Sequence, residues 1–269
     1  MSEAHLLYSV ENNVAFFTIN REAQRNAISL DAIELFSKYL DDAEKDSTVR
    51  VISITGSGDK AFCSGADLGG AADGKIQQGF KSYAVDGKIQ QGFKSYAELL
   101  KKLSGYPKPV VAKINGACMA GGMGLMLACD IVIAKNDAKF GTPEVNVGLW
   151  PMMIGALIYR NVPRKKAMEM ILLGERLTAD QALNMGLITR VVQPEDLEQE
   201  VAQILITLAA KSPIGMKIGK EAFYAMADMP FEEAVDFLSD KIAEIAATED
   251  AREGITAFIE KRQPKFKGK

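Results

Sequence analysis

The sequence predicts an α/β fold in which strands alternate with helices and a mostly helical region follows. Three short apolar runs, at residues 51–55, 110–114 and 130–134, have the length of buried strands. Alternation of such strands with helical segments favours crossover connections within one sheet. The chain has 269 residues, of which 48% are hydrophobic, so it can bury a sizeable core.

The first elements are a hairpin and a helix. Residues 6–10 and 14–20 have strand patterns and are separated by the turn residues 11–13. Ser29 is a good N-cap residue for a helix over residues 30–46. In that stretch Ile33, Phe36 and Leu40 recur at helical spacing.

Beyond about residue 160 the pattern becomes helical. Thr178, Pro194 and Pro230 are helix-start residues. The predicted helices are 164–173, 178–185, 194–211, 213–227, 230–247 and 250–261. We therefore predict a sheet-rich core at 1–195, followed by a helical region at 196–269 that packs on the core or on a neighbouring subunit.

Composition argues against several classes of protein. Charged residues make up 25% of the chain and the net charge is -3, so nothing predicts a nucleic-acid partner. The longest apolar runs, 117–129 and 147–159, are too short to span a membrane, and the N-terminus does not resemble a signal peptide. Three cysteines without CxxC spacing predict neither disulfides nor a zinc site, which fits a reducing, cytoplasmic location.

The single histidine, His5, limits the chemistry. It lies beside the first predicted strand, far from every candidate motif. Ser-His-Asp triads and HExxH zinc sites are therefore excluded. The general base is expected to be Asp, Glu, Lys, Tyr or Cys.

A twelve-residue segment occurs twice. DGKIQQGFKSYA at residues 73–84 recurs unchanged at 86–97, through either a local duplication or an error in the sequence. Only the second copy continues into a leucine-rich stretch, so we predict that it forms an ordered helix with Phe93 and Tyr96 on one face, and that the first copy is a flexible insertion.

Three segments contain candidate functional residues, at 61–68, 115–124 and 140–149. In the first, Gly65 and its neighbours could present main-chain N–H groups to a ligand, although an ordinary loop would look the same. In the second, glycines follow a strand and open a helix, where unpaired N–H groups suit an anion or an oxyanion. The alternative is that these glycines only permit close helix packing.

The third segment contains Glu144 among apolar residues. Apolar surroundings raise the pKa of a carboxyl group, which suits a general acid or base. The alternative is an exposed loop glutamate after Pro143.

Taken in order, these segments resemble the crotonase superfamily, also called the enoyl-CoA hydratase/isomerase family. The matching residues are Asn20-Arg21, Arg25-Asn26-Ala27, 61–68, 108–112, Asn115-Gly116, Ala120-Gly121-Gly122, Cys129-Asp130-Ile131, 138–141, Pro143-Glu144, Gly174, Leu177-Thr178-Ala179 and 258–262. The resemblance covers nearly the whole chain and is far more specific than any single motif.

The resemblance implies a crotonase-like spiral of ββα units, with residues 196–269 as a helical trimerisation region in a homotrimer or a dimer of trimers. It implies an enzyme of acyl-CoA (fatty acid) metabolism with no metal and no cofactor beyond the CoA of its substrate. Ala66 and Gly121 would supply the N–H groups of an oxyanion hole, and Glu144 would be the catalytic carboxylate. The implied substrate-binding and CoA-binding residues are Asn26, Ala27, Ala66, Asp67, Leu68, Gly69 and Gly121, with Lys261 and Lys265 near the CoA phosphates.

One position departs from the family pattern. Typical hydratases use two glutamates, and the position of the first is Gly124 here. One carboxylate suffices to move a proton between two carbons, so the pattern resembles isomerase-like members. The bulky run at residues 150–153 replaces a glycine-rich stretch and could reshape the acyl pocket. The remaining alternatives are thioester hydrolysis, decarboxylation, ring chemistry, or a catalytically impaired acyl-CoA-binding subunit.

Overall fold

A six-stranded sheet forms the centre of the computed structural model, which describes residues 4–67 and 88–269. Its strands are β1 (Leu6–Glu11), β2 (Val14–Ile19), β3 (Val51–Gly56), β5 (Val110–Ile114), β7 (Ile131–Lys135) and β10 (Arg190–Val192), in that spatial order. β1 and β2 form an antiparallel hairpin, and every other neighbouring pair in this sheet is parallel.

A second sheet lies beside the first and has four short strands. They are β4 (Ala61–Cys63), β6 (Ala117–Met119), β8 (Lys139–Gly141) and β9 (Leu177–Thr178), in that order. β4, β6 and β8 are parallel to one another, whereas β9 is antiparallel to β8. Strands of two or three residues are too short to show an alternating pattern, which is why we had not predicted them from periodicity.

The helices follow the predicted order. They are α1 (Leu30–Lys45), α2 (Lys88–Ser104), α3 (Gly121–Leu127), α4 (Met152–Asn161), α5 (Arg164–Leu173), α6 (Ala179–Asn184), α7 (Leu197–Ala209), α8 (Pro213–Met226), α9 (Phe231–Ala246) and α10 (Glu249–Ile259). The predicted helical region is confirmed. Helix α4 and the strands β9 and β10 were not predicted.

Both faces of the central sheet are buried. From β3, Ile52 and Ile54 join the main core, where Phe17 stacks on Phe36 with ring centroids 5.6 Å apart. Val51, on the opposite face, belongs to a second cluster. Helix α7 covers that face with Leu197, Val201 and Leu205. A strand that is covered on both sides needs a continuous apolar run, which explains the sequence of β3.

Local signals account for the ends of several elements. The hairpin turn is confirmed, with Asn12 and Asn13 at φ 50° and 67°, as a tight two-residue hairpin loop requires. The Ser29 hydroxyl accepts a hydrogen bond from the Ala32 N–H at 3.2 Å and caps α1. Helix α7 begins just after the predicted boundary at residue 195 and packs on the core sheet.

The second copy of the repeat forms part of helix α2, as predicted. Phe93 and Tyr96 lie on one side of α2, as predicted, because three positions advance about 300° at 3.6 residues per turn and so leave the two side chains about 60° apart. Their burial differs: Tyr96 is 7% exposed, whereas Phe93 is 55% exposed. The first copy, residues 73–84, lies outside the described residues.

Within residues 4–67 and 88–269, no single helix is long and apolar enough to cross a membrane. Two consecutive segments, Pro194–Ala209 and Pro213–Met226, reach that length and apolarity together, with a bend of 98° between them.

Candidate active site

The three predicted catalytic residues follow three adjacent strands. Ala66 lies three residues after β4, Gly121 two residues after β6, and Glu144 three residues after β8. These strands are parallel neighbours with β6 in the middle. Because the carboxyl ends of parallel strands lie at one edge of a sheet, the fold brings the three residues to the same edge, where ligands commonly bind in α/β proteins.

Ala66 is held on one side by Ile28. The Ile28 N–H donates to the Gly65 carbonyl at 2.8 Å, and the Asp67 N–H donates to the Ile28 carbonyl at 2.9 Å. These two bonds form an isolated parallel bridge between Ile28 and Ala66. The Ala66 N–H itself donates no hydrogen bond to any described residue.

Gly121 opens helix α3, and its position faces Ala66. A Cβ built on Gly121 would lie 3.5 Å from the Ala66 nitrogen. As the first residue of a helix, Gly121 has no partner for its N–H within the helix, and it donates no hydrogen bond among the described residues. The Gly121 position therefore lies close to the Ala66 amide nitrogen.

The residues on either side of Gly121 constrain it. Ala120 has φ 49° and ψ -124°, a conformation that costs a non-glycine residue about 1–3 kcal/mol and that often occurs at functional sites. The Ala120 N–H donates to the Gly141 carbonyl at 2.9 Å, which ties this turn to β8. A Cβ on Gly122 would lie 2.3 Å from the Cys63 carbonyl oxygen. The close-packing alternative for the glycine run therefore holds at Gly122, whereas the oxyanion role of Gly121 stays a prediction.

Two side-chain anchors hold the strand-to-loop segment that contains Ala66. Asn26 is fully buried, and its amide group donates to the carbonyls of Ser57 and Ala61 at 2.9 and 2.7 Å. Its Oδ1 accepts from the Arg21 N–H and the Ser57 hydroxyl. Because these bonds use both ends of the side chain, we expect Asn26 to hold the segment rather than contact the substrate.

The second anchor is an ion pair between Arg21 and Asp67. Their side chains approach to 2.6 Å and are only 11% and 24% exposed. Arg21 also donates to the Ala27 carbonyl at 2.6 Å. Asp67 and Ala27 therefore belong to the frame around Ala66. Leu68 and Gly69, which the sequence also predicts as CoA-binding residues, lie outside the described residues.

Glu144 lies in a short 3-10 helix, Pro143–Val147, and is half-buried. Its Oε2 atom is buried and has no hydrogen-bond partner among the described residues. Burial raises the pKa of this carboxyl group, and its own backbone N–H opposes the rise only in part. A buried carboxylate oxygen without a partner is ready to accept a proton from a ligand.

The other candidate bases in this region keep their protons. Burial raises the pKa of the Cys63 thiol to about 11. Burial also raises the pKa of Cys118 and that of Tyr96 well above their ordinary values. At neutral pH these groups are neutral, which leaves Glu144 as the titratable residue suited to proton transfer.

Gly124 lies against two side chains. A Cβ built there would come within 2.5 Å of both the Tyr96 hydroxyl oxygen and the Ile154 Cγ2 atom. The Tyr96 hydroxyl donates a hydrogen bond to the Gly121 carbonyl. The space that the Cβ atom of a glutamate at position 124 would need is therefore already filled by Tyr96 and Ile154. This packing requires a glycine at position 124.

The remaining predicted residues are less informative. Trp150 and Met152 are 44% and 74% exposed, so they are not core residues in the isolated chain. Lys261 and Lys265 are exposed near the C-terminus, and a role at the CoA phosphates stays a prediction. Among the described residues, no group of three or more His, Cys, Asp or Glu side chains could hold a metal ion.

Sequence reasoning singled out neither Tyr96 nor Arg21 as a site residue. Tyr96 was expected only as one of two aromatic residues on a helix face, and Arg21 only as part of a matching motif. The signal that could have found Tyr96 is the departure at Gly124, because a missing side chain beside a packed helix implies that another residue fills the space.

Comparison with known proteins relates the whole chain to one family. The sequence model of the enoyl-CoA hydratase/isomerase family matches residues 9–269. A short-chain-enoyl-CoA hydratase from Clostridium acetobutylicum is 31% identical over 260 residues, which is 96% of each chain. A 2,3-dehydroadipyl-CoA hydratase from Escherichia coli K12 is 33% identical over the full length of both chains.

Solved structures agree with this result. A crystal structure of an enoyl-CoA hydratase from Mycobacterium smegmatis has a TM-score of 0.89 at 31% identity, covering 98% of this chain and 99% of the other. One from Bacillus anthracis has a TM-score of 0.90 at 29% identity, covering 98% and 100%. The predicted α/β crotonase-like fold and the predicted resemblance are confirmed.

Proposed function

The chain belongs to the enoyl-CoA hydratase/isomerase family, and from this membership we propose that it moves protons at the acyl chain of a CoA thioester through two backbone amides and one carboxylate. The observation that carries the proposal is the buried Oε2 of Glu144, which has no hydrogen-bond partner within residues 4–67 and 88–269. Glu144 follows β8, and β8 pairs with β6, the strand before Gly121.

In this mechanism the thioester oxygen lies between the N–H groups of Ala66 and Gly121. Removal of a proton from the carbon next to the thioester carbonyl creates an enolate, whose negative charge develops on that oxygen. Two preorganised N–H donors stabilise the charge more in the transition state than in the substrate, and one such donor contributes about 3–4 kcal/mol. Neither amide donates a hydrogen bond to another described residue, which supports this role.

Glu144 takes the proton from one carbon and returns it to another. Its raised pKa supports the role because it makes the carboxylate a stronger base, and a group that both accepts and returns a proton works best with a pKa nearer the working pH. The same carboxylate therefore acts first as a base and then as an acid. No cofactor is needed for this step, since both the proton and the electron pair stay within the substrate and Glu144.

Of the two family reactions, we propose double-bond isomerisation as the main one. Hydration requires a water molecule to be oriented and deprotonated while a second proton reaches the α-carbon. Gly124 offers no carboxylate for that task, and the Tyr96 hydroxyl and Ile154 occupy the adjoining space. Hydration through Glu144 alone is the second candidate, favoured by the names of the related hydratases.

The experiment that separates these reactions uses two substrates with one enzyme preparation. Crotonyl-CoA is tested for hydration and a 3-enoyl-CoA for conversion to the 2-enoyl isomer. We expect the isomerisation to be faster by at least about tenfold. Faster hydration would overturn the choice of reaction but not the role of Glu144.

A Glu144→Gln variant tests the carboxylate itself. It keeps the shape of the side chain and removes its base, so we expect both reactions to fall by about 10²–10⁴-fold, the usual contribution of general acid–base catalysis. Full activity in this variant would remove Glu144 from the mechanism. Tight binding of acyl-CoA without turnover by the unaltered protein would favour the impaired binding subunit instead.

We also propose that the chain assembles as a homotrimer or a dimer of trimers through its C-terminal helices. The support is a set of exposed large apolar side chains: Phe223 at 62%, Phe231 at 81%, Ile242 at 61%, Phe258 at 85% and Ile259 at 72%. Exposed apolar groups in such numbers are typical of interaction surfaces. Light scattering should give the mass of three or six chains, and a monomeric mass at micromolar concentration would refute the proposal.

A further inference from the structure

Tyr96 occupies an unusual position between two parts of the site. Its ring is buried and lies on helix α2, whereas Gly121 and Gly124 lie on helix α3. Its hydroxyl donates to the Gly121 carbonyl and lies within 2.5 Å of where a Gly124 Cβ would be. The Tyr96 side chain thus contacts both Gly121, whose N–H we propose for the oxyanion hole, and Gly124, which stands where typical hydratases have a glutamate.

Gly121 depends on such an anchor. Glycine has the least restricted backbone of all residues, and the preceding Ala120 is already in a strained conformation at φ 49°. An N–H donor stabilises an oxyanion well only if its direction is fixed before the reaction. The Gly121 N–H shares a peptide plane with the Ala120 carbonyl, which accepts from the Met123 N–H at 2.9 Å. The Tyr96 hydrogen bond holds the next peptide plane through the Gly121 carbonyl, so the two bonds together restrain rotation on both sides of the Gly121 Cα.

We propose that Tyr96 is a positioning residue of this active site: its hydroxyl, accommodated by Gly124, holds Gly121 so that the Gly121 N–H points at the thioester oxygen. Tyr96 and Gly124 act as a pair, since any side chain at 124 would displace the hydroxyl. The proposal deepens the function proposed above and rests on it.

Tyr96 does not serve as the missing second acid. Its hydroxyl proton is engaged by the Gly121 carbonyl. Burial, with a smaller contribution from the Glu144 carboxylate, raises the pKa of the phenol well above its ordinary value. The side chain therefore stays neutral and holds the backbone rather than exchanging a proton with the substrate.

The repeat supplies a matched control. Tyr83 has the same neighbours in sequence, FKSYA, as Tyr96. Tyr96→Phe and Tyr83→Phe remove the same hydroxyl from identical sequence contexts. We expect kcat for 3-enoyl-CoA isomerisation to fall about tenfold or more in Tyr96→Phe with KM changed less than threefold, because the bond matters most in the transition state. Tyr83→Phe should leave both constants unchanged.

A spectroscopic measurement separates positioning from loss of fold. Butyryl-CoA has no double bond to move, so its ¹³C-labelled carbonyl reports the strength of the oxyanion hole by its infrared stretching frequency. We expect a shift to lower frequency on binding to the unaltered protein and a smaller shift with Tyr96→Phe. A full shift and full kcat in Tyr96→Phe, or an equal loss in Tyr83→Phe, would overturn the proposal.

The same infrared measurement distinguishes a failure of the proposed oxyanion hole from a failure of the proposed role of Tyr96. If the unaltered protein binds butyryl-CoA without shifting its carbonyl frequency, the proposed oxyanion hole fails and the role of Tyr96 fails with it. If the unaltered protein shifts the frequency and Tyr96→Phe shifts it equally, only the role of Tyr96 fails.

A second variant tests the pair without removing the hydroxyl. Gly124→Ala puts a methyl group 2.5 Å from the Tyr96 oxygen and should lower kcat as Tyr96→Phe does. In the Tyr96→Phe background, Gly124→Ala should cost clearly less than it does alone, because the bond is already lost. Fully additive losses would contradict the pairing. Gly219→Ala is the control, since nothing lies within 4 Å of a Cβ at this helical position.

Discussion

The contact between helix α3 and strand β4 gives a prediction with a definite magnitude. In Gly122→Ala the new methyl carbon would lie 2.3 Å from the Cys63 carbonyl oxygen, whereas ordinary contact begins at 3.4 Å. The obstructing atom belongs to the backbone of a buried strand and cannot swing away. The start of α3 must therefore move by roughly 1 Å, and Gly121 moves with it.

The displacement should affect stability and catalysis together. Overpacking of this kind costs about 1–3 kcal/mol of unfolding free energy, and a shift of about 1 Å in a catalytic group lowers the rate by about 10²-fold. Urea denaturation measures the first effect and kcat on a 3-enoyl-CoA the second. The matched control, Gly219→Ala, should be neutral or gain up to about 1 kcal/mol, because alanine is the better helix former.

A comparison of Gly122→Ala with Gly219→Ala can refute either the close contact between α3 and β4 or its effect on catalysis. If Gly122→Ala keeps the stability and kcat of the control, the close contact of α3 with β4 does not exist and the position of the Gly121 amide is not fixed by it. If stability falls but kcat in the folded fraction stays unchanged, the contact exists and the catalytic role of the start of α3 is wrong.

Three further predictions concern the carboxylate and its frame. Because burial raises the pKa of Glu144, kcat/KM should fall as the pH is lowered, with a midpoint above pH 4.5, the ordinary pKa of this side chain. A midpoint at or below pH 4.5 would contradict the burial of the carboxyl group. For the same reason the protein loses stability when Glu144 ionises, as the pH rises through the pKa of the folded state. The melting temperature of Glu144→Gln should therefore exceed that of the unaltered protein at about pH 8, and the difference should vanish at a pH below the ordinary pKa of a glutamate. A difference in melting temperature that is the same at every pH would refute this. Asn26→Ala removes the donor to the Ser57 carbonyl and the shorter of two donors to the Ala61 carbonyl, which keeps a 3.4 Å bond from Asn115. It also removes the acceptor of the Arg21 N–H. We expect a loss of about 2–4 kcal/mol in urea denaturation, whereas a loss under about 0.5 kcal/mol would show that water replaces the amide.

The order of elements could be predicted from sequence because periodicity over several turns or residues is a strong signal. The hairpin, α1 with its Ser29 cap, and the C-terminal helices all carry such signals. The second sheet could not be predicted in this way. Strands of two or three residues, such as β6, are specified by the neighbours they pair with rather than by their own pattern.

The candidate site was predictable only in part, for a related reason. The roles proposed for Ala66 and Gly121 use backbone atoms, which leave no mark in the sequence other than the small residues around them. The prediction of these two residues therefore depended on a family resemblance. Glu144 had a local signal in its apolar neighbours. The contact between Tyr96 and Gly124 joins residues 28 positions apart in sequence on two helices, and only the packing of those helices reveals it.

A structure with bound butyryl-CoA is the most direct test of the whole account. We predict that the thioester oxygen lies about 2.7–3.1 Å from both the Ala66 and the Gly121 nitrogens, with a Glu144 carboxylate oxygen facing the acyl carbons next to the carbonyl. A thioester oxygen that contacts neither amide, or a Glu144 side chain turned away from the acyl chain into solvent, would contradict it.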